Sequence, residues 1–355
     1  MSSNNKINVV VAGATGFVGL DLVYFLSKHP KVNIKYLCAQ RNIGKNIKSF
    51  DKRIKKKLPK ISRLNKVKWN QVDLLFTSLP TGESQKLVKS LIKYKNLKFI
   101  DLSADFRLKD KITFKKFYGF EHKAQNLLKY AIYSISELVK KNIKKAKIVA
   151  CPGCYPTSIQ IPLIPLLKNN LIKKNNIIID SKSGYSGGGK NLKNKFKHKN
   201  LYSSIHPYGL FNHRHLSEID QELFKSTKSN VNYSFTPHLI PTFRGLLSTI
   251  YVEKVKGVTI KKIHSELVKF YRKNYFIKIA KINKNIGTEN VINTNFCEIS
   301  ICKINIKNKI LIFSAIDNLI KGAGGQAIQN MNLIYGYSEK LGLKWEKFIF
   351  YFLFY

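Results

Sequence analysis

Acidic residues are scarce in this 355-residue sequence. It has 20 Asp and Glu against 63 Lys and Arg, which gives a formal net charge of +43 at pH 7. Such an excess is typical of proteins that bind nucleic acid or anionic membranes. Here the lysines are spread along the whole chain, which indicates a composition bias, although a field that attracts anionic substrates fits both interpretations. We therefore expect neither a nucleic-acid partner nor a membrane partner.

The sequence also lacks long hydrophobic runs and a disulfide framework. No segment has 18 uncharged apolar residues in a row, and the apolar run near the N-terminus is too short for a signal peptide. The number of cysteines is odd, at five, which favours a reducing compartment. These absences predict a cytoplasmic protein.

The apolar pattern changes character near residue 155. With 44% hydrophobic residues, the chain can bury the cores of about two domains. Before residue 155, strand-like runs alternate with helical spacing, which is typical of βαβ units and a parallel sheet. Afterwards several strands follow one another with few helices, which indicates an α+β unit with a mixed or antiparallel sheet. The Lys-rich span 51–68 is expected to be an insertion or an exposed helix.

A glycine-rich turn, GATGFVG (13–19), joins the first predicted strand to the first predicted helix. This is the context that the dinucleotide-binding fingerprint requires, because free backbone N–H groups and the positive helix end then face a pyrophosphate. The alternative is a strand–helix turn without a ligand. On the first interpretation the cofactor contacts are Gly13, Thr15, Gly16, Phe17 and Val18.

Two further segments are expected beside this cofactor. An NAD site usually has Asp or Glu after the second strand, where this chain has Arg41, which suits a 2′-phosphate and favours NADP. The alternative is that Arg41 is one surface cation among many. Ser78, Leu79 and Pro80 follow another predicted strand, at the sheet edge where α/β proteins bind ligands.

The segment CPGCYPT (151–157) makes a sharp turn between a short strand and a helix. It places Cys154 at a helix N-terminus, where the positive end is expected to lower the pKa of the thiol and to hold an oxyanion. Three alternatives are a dithiol redox pair, half of a zinc site and an inert buried thiol. In DLSADFR (101–107), Arg107 is a candidate for bidentate phosphate binding, or else a partner of Asp101 or Asp105.

CPGCYPT resembles the nucleophile motif of the N-acetyl-γ-glutamyl-phosphate reductase family, in which Asn is more usual at the first position. The motifs DLSADFRL, SGYSGGGK (183–190), HRHLSEI (213–219), FTPHLIPTFRGLLSTIY (235–251) and DNLIKGAGGQAIQNMN (317–332) follow in the family's order. The resemblance covers roughly 7–345. Ser217 stands where Pro is more usual, and SGGGK stands for SGAGR, which weakens bidentate phosphate binding there.

The resemblance implies a fold and a reaction. The fold is an α/β Rossmann-type dinucleotide-binding domain, 1–153 plus 318–345, with an inserted α+β catalytic and dimerisation domain, 154–317, and an apolar tail, 346–355. The reaction is the NADPH-dependent reduction of N-acetyl-γ-glutamyl phosphate to the semialdehyde in arginine biosynthesis. It proceeds through a thioester on Cys154.

The resemblance also implies roles for single residues, with no metal. The acid–base group is His215, with His213 second. Ser186, Gly187 and Asn318 contact the cofactor. Substrate binding is assigned to Arg107, Tyr155, Lys190 and Arg244, with Arg214 as a further candidate cation. A homodimer or homotetramer is expected.

Three other functions remain open. The paralogous reductase of lysine biosynthesis acts on a carrier-linked aminoadipyl phosphate. The other two are a basic nucleic-acid-binding protein and a catalytically silent dinucleotide-binding regulator.

Overall fold

The first half of the chain forms a parallel sheet of seven strands. The computed structural model describes residues 6–139, 143–190, 200 and 202–343, so the predicted tail 346–355 lies outside the described residues. The strands are β1 Ile7–Ala12, β2 Val32–Cys38, β3 Ile61–Ser62, β4 Leu74–Thr77, β5 Lys98–Asp101, β6 Ala131–Tyr133 and β7 Ile148–Ala150. Their order is β3-β2-β1-β4-β5-β7-β6, and every pairing is parallel.

Helices cover both faces of this sheet, as the continuous apolar run Val9–Ala12 within β1 predicts. They are α1 Phe17–Lys28, α2 Glu83–Leu91, α3 Lys111–Tyr118 and the short α4 Ser136–Val139. Val9 and Val11 share a core with α1, whereas Val10 shares a second core with Val88 of α2. The carboxyl ends of the strands therefore meet at one edge, where the loops that carry the candidate residues emerge.

The second half forms a mixed sheet covered on one face. Its strands are β8 Ile177–Gly184, β9 His206–Pro207, β10 Tyr233–Ile240, β11 Leu246–Glu253, β12 Ile277–Ile279, β13 Cys297–Lys303 and β14 Lys309–Ile316, in the order β12-β13-β14-β11-β8-β10-β9. The helices α5 Cys154–Lys168, α6 His215–Thr227 and α7 Ile260–Tyr271 share its core. Burial alternates along β11, so the other face is half-exposed. The two sheets confirm the predicted fold class.

The last described helix joins the core of the first sheet. It starts as a π-helical turn, Ile320–Gly324, and continues as α8, Gly325–Ile334. One apolar face of α8, with Ala327, Met331 and Ile334, is buried in the same core as α1. No helix in the described ranges is long and apolar enough to cross a membrane.

The span 51–68 is not a helix, so the exposed-helix alternative is wrong, whereas the insertion stays a prediction. It carries the edge strand β3 and a single 3-10 turn, Leu64–Lys66. Ile54 and Ile61 are buried in the core of the first sheet, and Arg53 forms an ion pair of 2.7 Å with the buried Asp21. These anchors hold the segment extended along the sheet edge despite its lysines.

Candidate active site

Cys154 is the first residue of α5 and directly follows the turn after β7. Gly153 occupies the N-cap position, and no side chain caps the helix. Cys154 is half-buried, whereas the other four cysteines are buried, and all five thiols are free. The turn therefore presents one accessible sulfur at an uncapped helix N-terminus, the location that the sequence predicts.

The thiol of Cys154 is not acidified in this structure. Burial raises its pKa to about 12, and this effect outweighs the lowering by the backbone N–H of Tyr155 and by the Arg107 charge. The prediction of a lowered pKa is therefore wrong, because burial of the thiol disfavours the thiolate more than the helix end favours it. A nearby base has to take the proton before the sulfur can attack.

The neighbouring cysteine has a free thiol in the protein interior. Cys151 is buried, and the amide Nδ2 of Asn330 lies 3.6 Å from its sulfur. Within the described ranges, no three His, Cys, Asp or Glu residues come together as a metal site would require. The arrangement favours a single nucleophilic thiol over the dithiol and zinc interpretations.

His215, the first residue of α6, lies directly against the turn that carries Cys154. A methyl group at Gly153 would lie 2.2 Å from Nε2 of His215, so the ring occupies the space beside the glycine. The rings of His213 and His215 are 4.8 Å apart, and Nδ1 of His213 accepts the His215 backbone N–H at 3.2 Å. Both rings line a cavity of about 260 Å³ together with Cys154, here called the Cys154 cavity. Of the two, His215 is the one in contact with the residue before the thiol.

Tyr155 forms the wall beneath these rings. It is buried, its hydroxyl donates to the carbonyl of His238 at 3.0 Å, and its ring meets that of His215 edge-on with centroids 5.9 Å apart. The residue lines the Cys154 cavity, but its hydroxyl is already bound within the protein. Tyr155 thus orients the histidine pair.

Glu218 connects the nucleophile turn to the surrounding charges, and sequence reasoning did not identify it. Its buried carboxylate accepts from Arg107 Nη1 at 2.8 Å and from the Gly153 backbone N–H at 3.0 Å. The same group lies 3.8 Å from Nε2 of His215. The available signal was the spacing in HRHLSE, because residues three apart on a helix share a face.

Arg107 lines a second cavity of about 590 Å³, here called the Arg107 cavity. Its guanidinium is paired with Glu218, so the alternative of a salt bridge to Asp101 or Asp105 is wrong. Gly187, Gly188, Arg214 and His215 line both this cavity and the Cys154 cavity. The two spaces are therefore adjacent.

A third and larger cavity, of about 1120 Å³, runs along the glycine-rich turn and is here called the Gly-turn groove. Of the predicted cofactor contacts, Gly13, Thr15, Gly16, Arg41, Ser78, Leu79 and Pro80 line it. Helix α1 begins here without a side-chain cap, which leaves N–H groups for an anion. The Phe17 ring instead packs on Phe243 at 5.2 Å and Val18 packs into the core, so neither residue lines the groove.

Arg63 is a second residue that sequence reasoning missed. It follows the edge strand β3, is exposed, and lines the Gly-turn groove together with Arg41. The two-residue strand β3 lies in a Lys-rich span and is too short to give a recognisable apolar pattern, so the sequence does not indicate that Arg63 enters the groove. The groove thus has two guanidinium groups at the end of β2 and β3, and its size and its donors fit a dinucleotide with a 2′-phosphate.

Ser186 and Asn318 brace the turn that carries Gly187. The amide Nδ2 of Asn318 donates to Ser186 Oγ at 2.9 Å, and its Oδ1 accepts the Gly245 N–H at 2.9 Å. Neither residue lines the three cavities described above, whereas Gly187 lines two of them. Lys190 lines both the groove and the Arg107 cavity, and its ammonium donates to the carbonyl of Thr15.

Arg244 is not brought into the site. Its guanidinium forms ion pairs with Asp21 at 2.7 Å and with Asp317 at 3.4 Å, and it lines none of the three cavities. Because Asp21 lies on α1, this arginine joins the second sheet to the first. Its placement argues against the predicted substrate contact and for a structural role.

Comparison with known proteins agrees with this geometry. Residues 8–146 match the family model described as the NAD binding domain of semialdehyde dehydrogenase, and residues 154–318 match its dimerisation domain. An aspartate semialdehyde dehydrogenase II from Vibrio cholerae, solved in complex with ASA, superposes with a TM-score of 0.71 at 16% identity. That match covers 94% of this chain and 99% of the other. This likeness shows the shared fold.

Other known proteins are more similar to this chain in sequence. The N-acetyl-γ-glutamyl-phosphate reductase of Ehrlichia canis is 42% identical over 95% of this chain and 97% of its own length. A probable N-acetyl-γ-glutamyl-phosphate reductase, chloroplastic, from Arabidopsis thaliana is 42% identical over 95% of this chain and 84% of its own. With an accessible cysteine at a helix start, a histidine against its turn and a dinucleotide groove alongside, this chain belongs to the N-acetyl-γ-glutamyl-phosphate reductase family of semialdehyde dehydrogenases.

Proposed function

We propose that this chain reduces N-acetyl-γ-glutamyl phosphate to N-acetylglutamate semialdehyde with NADPH, as a step of arginine biosynthesis. The observation that carries the proposal is the contact of His215 with the turn before Cys154, in a cavity that adjoins the Arg107 cavity and through it the Gly-turn groove. Nucleophile, base, anion-binding cations and dinucleotide groove thus form one continuous site.

In the proposed reaction, the thiol proton of Cys154 is transferred to His215 and later returned. Because burial raises the pKa of the thiol, His215 takes its proton as the sulfur attacks the acyl carbon and phosphate leaves. NADPH, which Gly13 to Gly16, Arg41 and Arg63 would hold in the Gly-turn groove, would supply the hydride for reduction of the thioester on Cys154. The hemithioacetal oxyanion then collapses to the aldehyde, and His215 returns the proton to the departing sulfur.

Glu218 acts as a positioning residue in this scheme. It holds the Gly153 N–H and Arg107 with one carboxylate and places negative charge 3.8 Å from Nε2 of His215. A carboxylate at this distance stabilises the imidazolium that forms when His215 takes the proton. The nucleophile turn, the base and the anion-binding arginine are therefore fixed relative to one another by a single side chain.

The preference for NADPH over NADH rests on the charge at the end of β2 and β3. Arg41 and Arg63 line the Gly-turn groove where an NAD site would usually present a carboxylate to the ribose. Guanidinium groups bind phosphate with paired, charge-assisted hydrogen bonds. We assign both arginines to the 2′-phosphate and the glycine-rich turn, Gly13 to Gly16, to the pyrophosphate.

We further propose that copies of the chain assemble as a homodimer or homotetramer. The match to a dimerisation domain spans 154–318, and the mixed sheet built by these residues has one half-exposed face. Within one chain, we assign 1–153 plus 318–345 to cofactor binding and 154–317 to catalysis and assembly. Light scattering coupled to size exclusion measures the assembly, and a mass of one chain would contradict it.

The reaction is tested in the oxidative direction. The purified chain is given N-acetylglutamate semialdehyde, NADP⁺ and inorganic phosphate, and its one-carbon-longer homologue is assayed in parallel. We expect phosphate-dependent formation of NADPH with the shorter aldehyde, a much slower rate with the homologue, and loss of turnover in Cys154→Ser with NADP⁺ binding retained. Equal turnover by Cys154→Ser, or a preference for the longer aldehyde, would overturn the proposal.

A further inference from the structure

The nucleophile has a second close neighbour besides the histidine pair. Gly322 lies in the π-helical turn Ile320–Gly324, here called the π-turn. A methyl group added at Gly322 would lie 2.6 Å from Cβ of Cys154 and 3.1 Å from its Cα. The backbone of the π-turn therefore packs directly against Cys154, although none of its residues lines the three cavities described above.

The π-turn has the wide geometry that gives it its name. The Gly322 N–H donates to the carbonyl of Asp317 at 2.9 Å, and the Gly324 N–H donates to the carbonyl of Leu319 at 2.9 Å. Such turns are rare in proteins and are frequently found at functional sites. Because the geometry is rare, we expect side chains from other elements to maintain it.

A buried ion pair anchors the π-turn to α4. The ammonium of Lys321 donates to Oε1 of Glu137 at 2.6 Å, and both side chains are 0% exposed. Gln329 of α8 joins the pair, since its Oε1 accepts from Lys321 at 3.0 Å and its Nε2 donates to Glu137 at 2.8 Å. A buried charge is strongly destabilising when its partner is removed, so the π-turn cannot shift away from α4 at low cost.

A second link connects the π-turn to the first turn of α5. The amide Nε2 of Gln326 donates to the Lys321 carbonyl and to Oγ1 of Thr157, at 3.2 Å in each case. The Thr157 hydroxyl in turn donates to the carbonyl of Gly153 at 2.9 Å. Because Gln326 and Thr157 are buried, water does not compete for these bonds. The backbone at Lys321 is thus joined to the residues on both sides of Cys154.

We propose that Lys321 and Glu137 are positioning residues for Cys154. Their ion pair holds the π-turn against the nucleophile, and the π-turn holds the thiol at the Cys154 cavity, which His215 also lines. The inference rests on the proposed function, because it gives a role in that reaction to two side chains that line none of the three cavities.

Two variants separate positioning from stability. Lys321→Met keeps the length of the side chain and leaves Glu137 as an unpaired buried charge. Glu137→Gln/Lys321→Met removes both charges, which is often neutral for stability when the volume is kept. In the oxidative assay we expect kcat to fall about 10- to 100-fold in both, as for a misplacement of up to about 1 Å in a reacting group. The KM of the aldehyde and the Kd of NADP⁺ should stay within twofold of wild type.

The matched control is Leu267→Ala, at a buried leucine of α7 in the core of the second sheet. It should lower the urea midpoint of unfolding and keep kcat within threefold of wild type. A double variant that regains both the midpoint and the kcat of wild type would overturn the inference, because the pair would then only stabilise the fold. An equal loss of kcat in the control would overturn it as well.

Hydrogen exchange tests the anchoring without turnover. Mass spectrometry follows the peptide that spans the π-turn, and we expect its amides to exchange about tenfold faster in the double variant than in wild type or in Leu267→Ala. If the wild-type chain showed no phosphate-dependent turnover, the proposed reaction would fail, and this measurement would still decide whether the ion pair holds the π-turn. Equal exchange in the double variant and wild type would refute the inference.

Discussion

Gly153 leaves no room for a side chain beside the His215 ring. Its backbone is extended, with φ of −69° and ψ of 164°, which alanine adopts without strain. In Gly153→Ala, however, the new methyl would lie 2.2 Å from Nε2 and 2.5 Å from Cε1, whereas ordinary contacts begin at 3.4 Å. The imidazole has to retreat by roughly 1.2 Å, and it can do so because it borders the Cys154 cavity.

This displacement is expected to reduce turnover far more than stability. A misplacement of about 1 Å in a reacting group can lower the rate about 100-fold, which corresponds to about 2.7 kcal/mol in the activation free energy. The free energy of unfolding should fall by no more than about 1–3 kcal/mol, the usual range for overpacking. The Kd of NADPH should be unchanged, since the Gly-turn groove does not include Gly153.

Steady-state kcat in the oxidative assay measures the effect, and Gly324→Ala is the matched control. Gly324 is helical, with φ of −64°, and an added methyl would have its nearest atoms at 3.4 Å or beyond. We expect the control to keep kcat within threefold of wild type. A folded Gly153→Ala chain with the same kcat as the control would refute the assignment of His215 as the base.

Three further predictions follow from the site. Arg63→Ala should raise the Kd of NADPH about tenfold, as expected for one lost contact to a charged group, and leave the Kd of NADH unchanged. The control is Arg272→Ala, at an exposed arginine. Equal changes in the Kd of both cofactors would contradict the assignment of Arg63 to the 2′-phosphate. Because the pKa of Cys154 is raised to about 12, its alkylation by iodoacetamide in the free protein should rise steadily through pH 10; a plateau below pH 9 would show an acidified thiol. Glu218→Gln breaks a buried ion pair and should lower the free energy of unfolding by about 3–5 kcal/mol in urea titrations. Glu266→Gln, in a surface pair, should leave the unfolding midpoint nearly unchanged, and similar losses for the two variants would argue against the Glu218 network.

Local patterns in the sequence were enough to locate most elements and the nucleophile. The apolar run Val9–Ala12 predicts a strand buried on both faces, and the structure confirms it. Likewise, Pro152 and Gly153 predicted a turn that places Cys154 at a helix start. A strand and a turn of this kind depend on residues close together in the chain, so the sequence is sufficient to predict them.

Charge assignments made from the sequence were less secure. Arg107 was expected to meet phosphate or a neighbouring aspartate, and it pairs with Glu218, 111 positions away. Arg244 was expected at the substrate, and it binds Asp21 across the two sheets. A long arginine side chain pairs with whichever carboxylate the fold buries beside it. No pattern in the neighbouring sequence predicts which carboxylate that is.

The sequence by itself determined the order of strands and helices, the glycine-rich turn and the cysteine at the head of α5, because these follow from backbone conformation and apolar periodicity over a few residues. Only the tertiary structure decided the state of the thiol, the contact of His215 with Gly153 and the entry of Arg63 into the groove. The pKa of a cysteine depends on how much water its surroundings remove, and the surroundings of Cys154 come from segments as distant in the chain as Arg107 and Glu218.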